Sequence, residues 1–111
     1  MKKDLTYLIE RVEPFEQRLN VELSGLYATS NDDDDMISVR GEIRCSQGDT
    51  LIQSVKLTVT VFDSAGRVLE TEDTYIDNKN FFGFELFDID IWVSGYDVAK
   101  LRLHPSPYDS Y

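Results

Sequence analysis

Cysteine and histidine are nearly missing from this 111-residue chain, which holds only Cys45 and His104. A lone cysteine forms no internal disulfide, so nothing calls for an oxidising compartment. Zinc sites of the common kinds take three or four Cys or His ligands, and the inventory does not supply them. A Cys–His nucleophilic pair would have to be made from these two residues. Alternation around Cys45 turns it inward as a small buried thiol, unlike the electropositive, partly exposed setting of a reactive cysteine. His104, beside Pro105 at a strand end, reads as a surface residue.

Basic charge is also scarce: 11 Lys plus Arg stand against 21 Asp plus Glu, a net charge of -10. A polyanion would be repelled on approach, which argues against nucleic acid and anionic lipid as partners. Basic proteins, divalent cations and neutral ligands remain. No apolar run of ~18 residues is present to span a membrane. Lys2 and Lys3 lead into no apolar stretch of signal-peptide type, so the expected compartment is the cytoplasm. Gly-rich phosphate loops, Gly-x-Ser-x-Gly elbows and His-Glu-x-x-His motifs are absent. The expectation is a protein that is not an enzyme and carries no cofactor.

What the chain does have is alternation with period two. Val55, Leu57, Val59 and Val61 are separated by Lys56, Thr58 and Thr60, the pattern of a half-buried strand. Ile37, Val39, Gly41, Ile43 and Cys45 make a second strand, and Leu19, Val21, Leu23, Gly25 and Tyr27 an earlier one. Asp63-Ser64-Ala65-Gly66 predicts a turn, leading to a hairpin into Arg67 to Ile76. Tyr7 to Val12 is a shorter candidate. Phe82, Phe84 and Leu86 share one face while Phe87, Ile89, Ile91 and Val93 keep the rhythm on the other, which suggests a bulge or a change of sheet near Leu86-Phe87. Val98 to His104 makes the last strand, with Ala99, Leu101 and Leu103 inward and Pro105 as its stop. Residues 8 to 19 approach helical spacing, but Pro14 argues against a regular helix. About seven strands at spacings of roughly ten residues predict one domain over 1-111, an all-β, antiparallel, immunoglobulin-like β-sandwich. It carries an acidic loop at 29-35 and a loosely ordered tail at 105-111.

Val59-Thr60-Val61-Phe62-Asp63, followed by Ser64-Ala65-Gly66-Arg67-Val68-Leu69, resembles the strand-end motif of the FxLYD domain. The aspartate and the later glycine match, while Val59, Val61 and Phe62 stand where the family name has Phe, Leu and Tyr. Val39-Arg40-Gly41-Glu42-Ile43 is similar to the strand with which such a domain begins, and Cys45 stands where an Asn is usual. The resemblance covers roughly residues 36-104. It implies an immunoglobulin-like sandwich of bacterial proteins that serves adhesion or assembly rather than catalysis, and it brings no functional residues with it.

Asp32, Asp33, Asp34 and Asp35 are the most conspicuous local cluster. Four adjacent carboxylates either stand in water or gather a cation such as calcium, which takes six to eight oxygen ligands. Asp63, Asp77 and Asp97 are further acids that could converge there from neighbouring loops. Two carboxylate pairs, Glu70 with Glu72 and Asp88 with Asp90, each share a strand face. From Glu70 to Asp97 there are eight acids and one base, which predicts an acidic side able to attract a basic partner. Arg40, Arg44 and Lys56 are candidates for a small positive patch. Phe81 and Phe82 beside Gly83 form either a plug for one end of the sandwich or an aromatic contact tip. Trp92 is expected in or against the core. Two functional classes follow: a protein-interaction module using Glu70, Glu72, Asp88, Asp90, Phe81 and Phe82, with homodimerisation through an edge strand open, or a cation- or small-ligand-binding domain using Asp32 to Asp35.

Overall fold

Apolar residues at every second position favour extended chain, because a pleated strand turns them all to one side. The computed structural model describes residues 2–31, 35–48, 50–93 and 97–108. Its elements are β1 (Lys2–Asp4), β2 (Ile9–Arg11), α1 (Glu13–Arg18), β3 (Val21–Asn31), β4 (Met36–Cys45), β5 (Val55–Asp63), β6 (Val68–Ile76), β7 (Phe84–Trp92) and β8 (Val98–Pro107). Short 3-10 turns cover Thr6–Leu8 and Asn78–Asn80. The strands form two four-stranded sheets, in the orders β1-β3-β4-β7 and β2-β8-β5-β6. Every pairing is antiparallel except β2 with β8. No helix among the described residues is long and apolar enough to cross a membrane.

The core fills the space between the sheets with Val21, Leu23, Val39, Ile43, Ile89 and Ile91 from the first and Val55, Leu57, Val59, Val61, Leu101 and Leu103 from the second. The chain is thus an all-β sandwich. The order β3-β4-β7 in one sheet and β8-β5-β6 in the other matches the A-B-E and F-C-C′ strands of an immunoglobulin-like sandwich.

Several expectations are corrected. Eight strands form among the described residues, the expected seven or so joined by β1, a three-residue strand that its pairing with β3 defines. A helix does form across Pro14, which lies in the first turn of α1, where its missing N–H takes no intrahelical bond from the ladder. In β3 the alternation inverts at Gly25, whose φ of 59° lies in the left-handed region. The register to β4 shifts there, turning Ala28 inward and Tyr27 outward. β7 has no bulge, for it pairs with β4 without interruption from Phe84 to Trp92.

β8 runs through Pro105 to Pro107 while still paired to β5. β2 covers its other flank only from Leu101 to Leu103. The Tyr108 N–H donates toward β5, to Ser54 O at 2.9 Å, so alternation turns the two proline nitrogens to the uncovered flank, where no donor is needed. Ala99 is exposed rather than inward, beside the register shift at Phe62/Asp63. The Asp63 turn forms as predicted: its Oδ1 accepts from the N–H groups of Ala65 and Arg67, both at 2.9 Å, and Gly66 takes a φ of 82°. The hydrogen bond from the Arg67 backbone, with the Arg67 side chain beside it, holds this carboxyl below its ordinary value.

Candidate functional site

Inward phase on β7 belongs to Phe87, Ile89 and Ile91, so Phe84, Leu86, Asp88, Asp90 and Trp92 all point away from the core. Opposite them on β4 stand Arg44, Glu42, Arg40, Ser38 and Met36. Tyr27 on β3 continues the row of Arg40 and Asp88. Three large apolar side chains are consequently in water, with Phe84 59%, Leu86 71% and Trp92 65% exposed. Trp92 is not in the core as expected, because the unbroken register leaves it in phase with the aspartates. A shallow groove of about 720 Å3 lies between Tyr27 and Leu86, lined also by Gly41, Phe87, Arg40 and Asp88.

Polar groups on this face already have partners that hold them in place. Asp88 Oδ2 lies 3.3 Å from Arg40 Nε, and Ser38 Oγ donates to Asp90 Oδ1 at 2.8 Å. Each carboxylate retains lone pairs for a further donor. Glu85, half-buried at the start of β7, has its carboxyl pushed up by burial and by the charge of Asp77.

β6 is the neighbouring edge across the sandwich. Glu70 and Glu72 pair with Val61 and Val59 and so share the inward phase of the core valines, yet both are exposed. The two acidic pairs therefore lie on different sheets, Glu70 and Glu72 on the inner side of one edge and Asp88 and Asp90 on the outer side of the other. Of the two phenylalanines, Phe81 is buried in the core and Phe82 is 83% exposed.

Asp32, Asp33 and Asp34 lie outside the described residues. Asp35 and Asp97 line one hollow of about 490 Å3 together with Lys3. Asp63 and Asp77 are committed to local turns, Asp77 accepting from Lys79 N–H at 2.9 Å. Among the described residues no group of three or more His, Cys, Asp or Glu is placed to hold a metal ion.

The predicted positive patch does not form. Arg40 and Arg44 sit on the outer face of the first sheet, beside Asp88 and Glu42, while Lys56 belongs to the second. The basic surface is instead the outer face of β8 and β5. Lys100 and Arg102 there lie over the Phe62 ring at 5.4 and 4.8 Å and both pair with Glu10. His104 belongs to this face and is half-buried rather than a surface residue, because Phe15 of α1 packs edge-on against it at 5.9 Å. Its Nδ1 is buried with no hydrogen-bond partner among the described residues. Burial, seconded by the charges of Arg102 and Lys56 and opposed by Asp73, pushes the imidazole below its ordinary value. Cys45 is half-buried at the end of β4 rather than fully enclosed, its Sγ donating to Thr50 O at 3.1 Å. Cys45 and His104 lie on different sheets.

The exposed trio Phe84, Leu86 and Trp92 is what sequence reading missed as a unit. Its signal is the pair Asp88 and Asp90 between them at the same parity, which marks that side of the strand as the wet one. No family model, curated protein or solved structure matches the chain.

Proposed function

We propose that this protein is a non-catalytic interaction module that presents the outer face of its first sheet to a basic protein partner. The observation that carries the reading is the exposure of Phe84, Leu86 and Trp92 on one strand, beside Asp88 and Asp90. Apolar groups clustered in water and rimmed by charge are the anatomy of a contact surface, with aromatic anchors at its centre. The resemblance of Val59 to Leu69 to the FxLYD motif supports the same class. A basic partner follows from the net charge of -10, which raises encounter rates with positive surfaces.

The test is affinity capture from a lysate of the source cells with the wild type and with a Phe84→Ser, Leu86→Ser, Trp92→Ser variant of unchanged melting temperature. Proteins held by the wild type and lost on the variant are the expected result. Identical capture by both would refute this face as the contact surface.

A further inference from the structure

Building on that interaction reading, we infer that β7 receives an extended segment of the partner as a fifth strand of the first sheet, and that this segment is basic where it meets Asp88 and Asp90. Four strands have an outer edge in this sandwich: β1, β7, β2 and β6. β1 and β2 are three residues each, too short to template more than one or two pairs. β6 is nine residues long, but it turns Glu70 and Glu72 into the inward phase and has a register shift at its pairing with Phe62, the features that protect an edge. β7 is also nine residues, is regular throughout, and among the described residues leaves the N–H and C=O groups on one side without a neighbouring strand. An added strand there would bond to the open backbone and cover Phe84, Leu86 and Trp92 with its own alternate side chains.

Charge chooses the occupant. A second copy of this chain is disfavoured, because a two-fold pairing of β7 with itself centred on Asp88, Ile89 or Asp90 sets aspartate against aspartate across the seam. Centring on Phe87 sets Leu86 against Asp88. Like charges directly opposite destabilise a pair, and opposite charges stabilise it. A segment reading apolar, basic, basic, apolar, apolar at alternate positions matches the outward row from Trp92 back to Phe84. Glu70 and Glu72, inward in phase on the facing edge, extend the negative field to the far side of the same seam.

The test uses the full chain and a capped nine-residue synthetic peptide with Leu or Val opposite Phe84, Leu86 and Trp92, Lys opposite Asp88 and Asp90, and Thr between. Binding is followed by fluorescence anisotropy, and amide hydrogen exchange is read residue by residue. The expected result is saturable binding that slows exchange of β7 amides at least about tenfold and leaves β6 amides unchanged, the protection due to new backbone bonds. A copy of the peptide N-methylated on its pairing amides, and one with Glu for Lys, should each bind at least about tenfold more weakly. Equal binding of the N-methylated peptide, protection on β6 instead of β7, or no binding of the Lys peptide would overturn strand addition. Any of these alongside capture still sensitive to the Phe84, Leu86 and Trp92 substitutions would leave the interaction face standing. Capture insensitive to those substitutions would remove the face itself.

Discussion

Single residues decide how neighbouring strands of a sheet fit together and how the fold answers to pH. Gly41 faces inward on β4, where an added Cβ would lie 2.7 Å from Leu26 Cδ2 and 2.9 Å from Phe87 Cζ. The glycine between Arg40 and Glu42, visible in the sequence as part of the family resemblance, is thus the space into which the bulged Leu26 and the Phe87 ring fit. His104 acts through its charge rather than its size. Its folded form favours the neutral imidazole, so the unfolded chain, titrating near ~6.5, takes up the proton first as pH falls. Stability is then complete above that value and declines as pH drops toward the depressed folded value, below which both forms are protonated. The melting temperature should fall between pH 7.5 and 5.5, and His104→Phe, which keeps a ring against Phe15, should flatten that decline. Glu85 is raised and has the opposite slope, but it is common to both proteins and cancels in their difference. Identical pH profiles for wild type and variant would show that burial of this imidazole does not favour its neutral form.

At the scale of elements, helix α1 shows most plainly how a short segment is held by one residue. Six residues are too few for helical stability of their own. Glu16 on α1 is 3% exposed, its Oε1 accepting from Arg11 at 2.7 Å and from the Leu23 N–H at 3.1 Å, its Oε2 from Arg11 Nε at 3.1 Å. One carboxylate thereby ties β2, α1 and β3 together, and it fixes Arg11 as a bidentate partner. Glu16→Ala strands the buried Leu23 donor and should lower unfolding free energy by about 1–3 kcal/mol. Glu16→Gln keeps an acceptor for that donor and should recover part of the loss in a urea titration; equal losses for both would mean that the Leu23 bond contributes nothing. Such a tie was not legible in the sequence, since Arg11, Glu16 and Leu23 share no pattern. What was legible are elements whose own residues carry the signal: β4 and β5 by their alternation, the Asp63 to Gly66 turn by its side-chain acceptor and positive φ, and β6 as the hairpin arm that follows it. The short strands β1 and β2 exist because partners bind them, and the continuation of β8 past Pro105 exists because β2 is short. Outward placement of Trp92 could be read only by letting Asp88 and Asp90 outweigh its hydrophobicity.

Across the whole molecule, acids gather on β6 and β7, with Arg40 beside Asp88, while Lys56, Lys100 and Arg102 share the second sheet with Glu10 and Asp73. A regular apolar edge such as β7 would ordinarily invite pairing with its own copies, the common fate of an unguarded strand. Asp88 and Asp90 stand in the middle of that edge, and a two-fold seam centred on Asp88, Ile89 or Asp90 brings carboxylates face to face. The wild type should therefore sediment as a monomer at ~100 μM in low salt, where screening is weak. Asp88→Thr with Asp90→Thr leaves strand propensity high, removes the repulsion and exposes a row of Phe84, Leu86, two threonines and Trp92. That variant should associate in a concentration-dependent way in sedimentation velocity, with added exchange protection confined to β7. A wild type that already dimerises through β7, or a variant that stays monomeric, would mean that the two aspartates do not guard the edge. Because the same carboxylates are assigned to meet the partner's basic residues, the variant should also lose the Lys peptide, joining self-avoidance and partner choice in one pair of side chains.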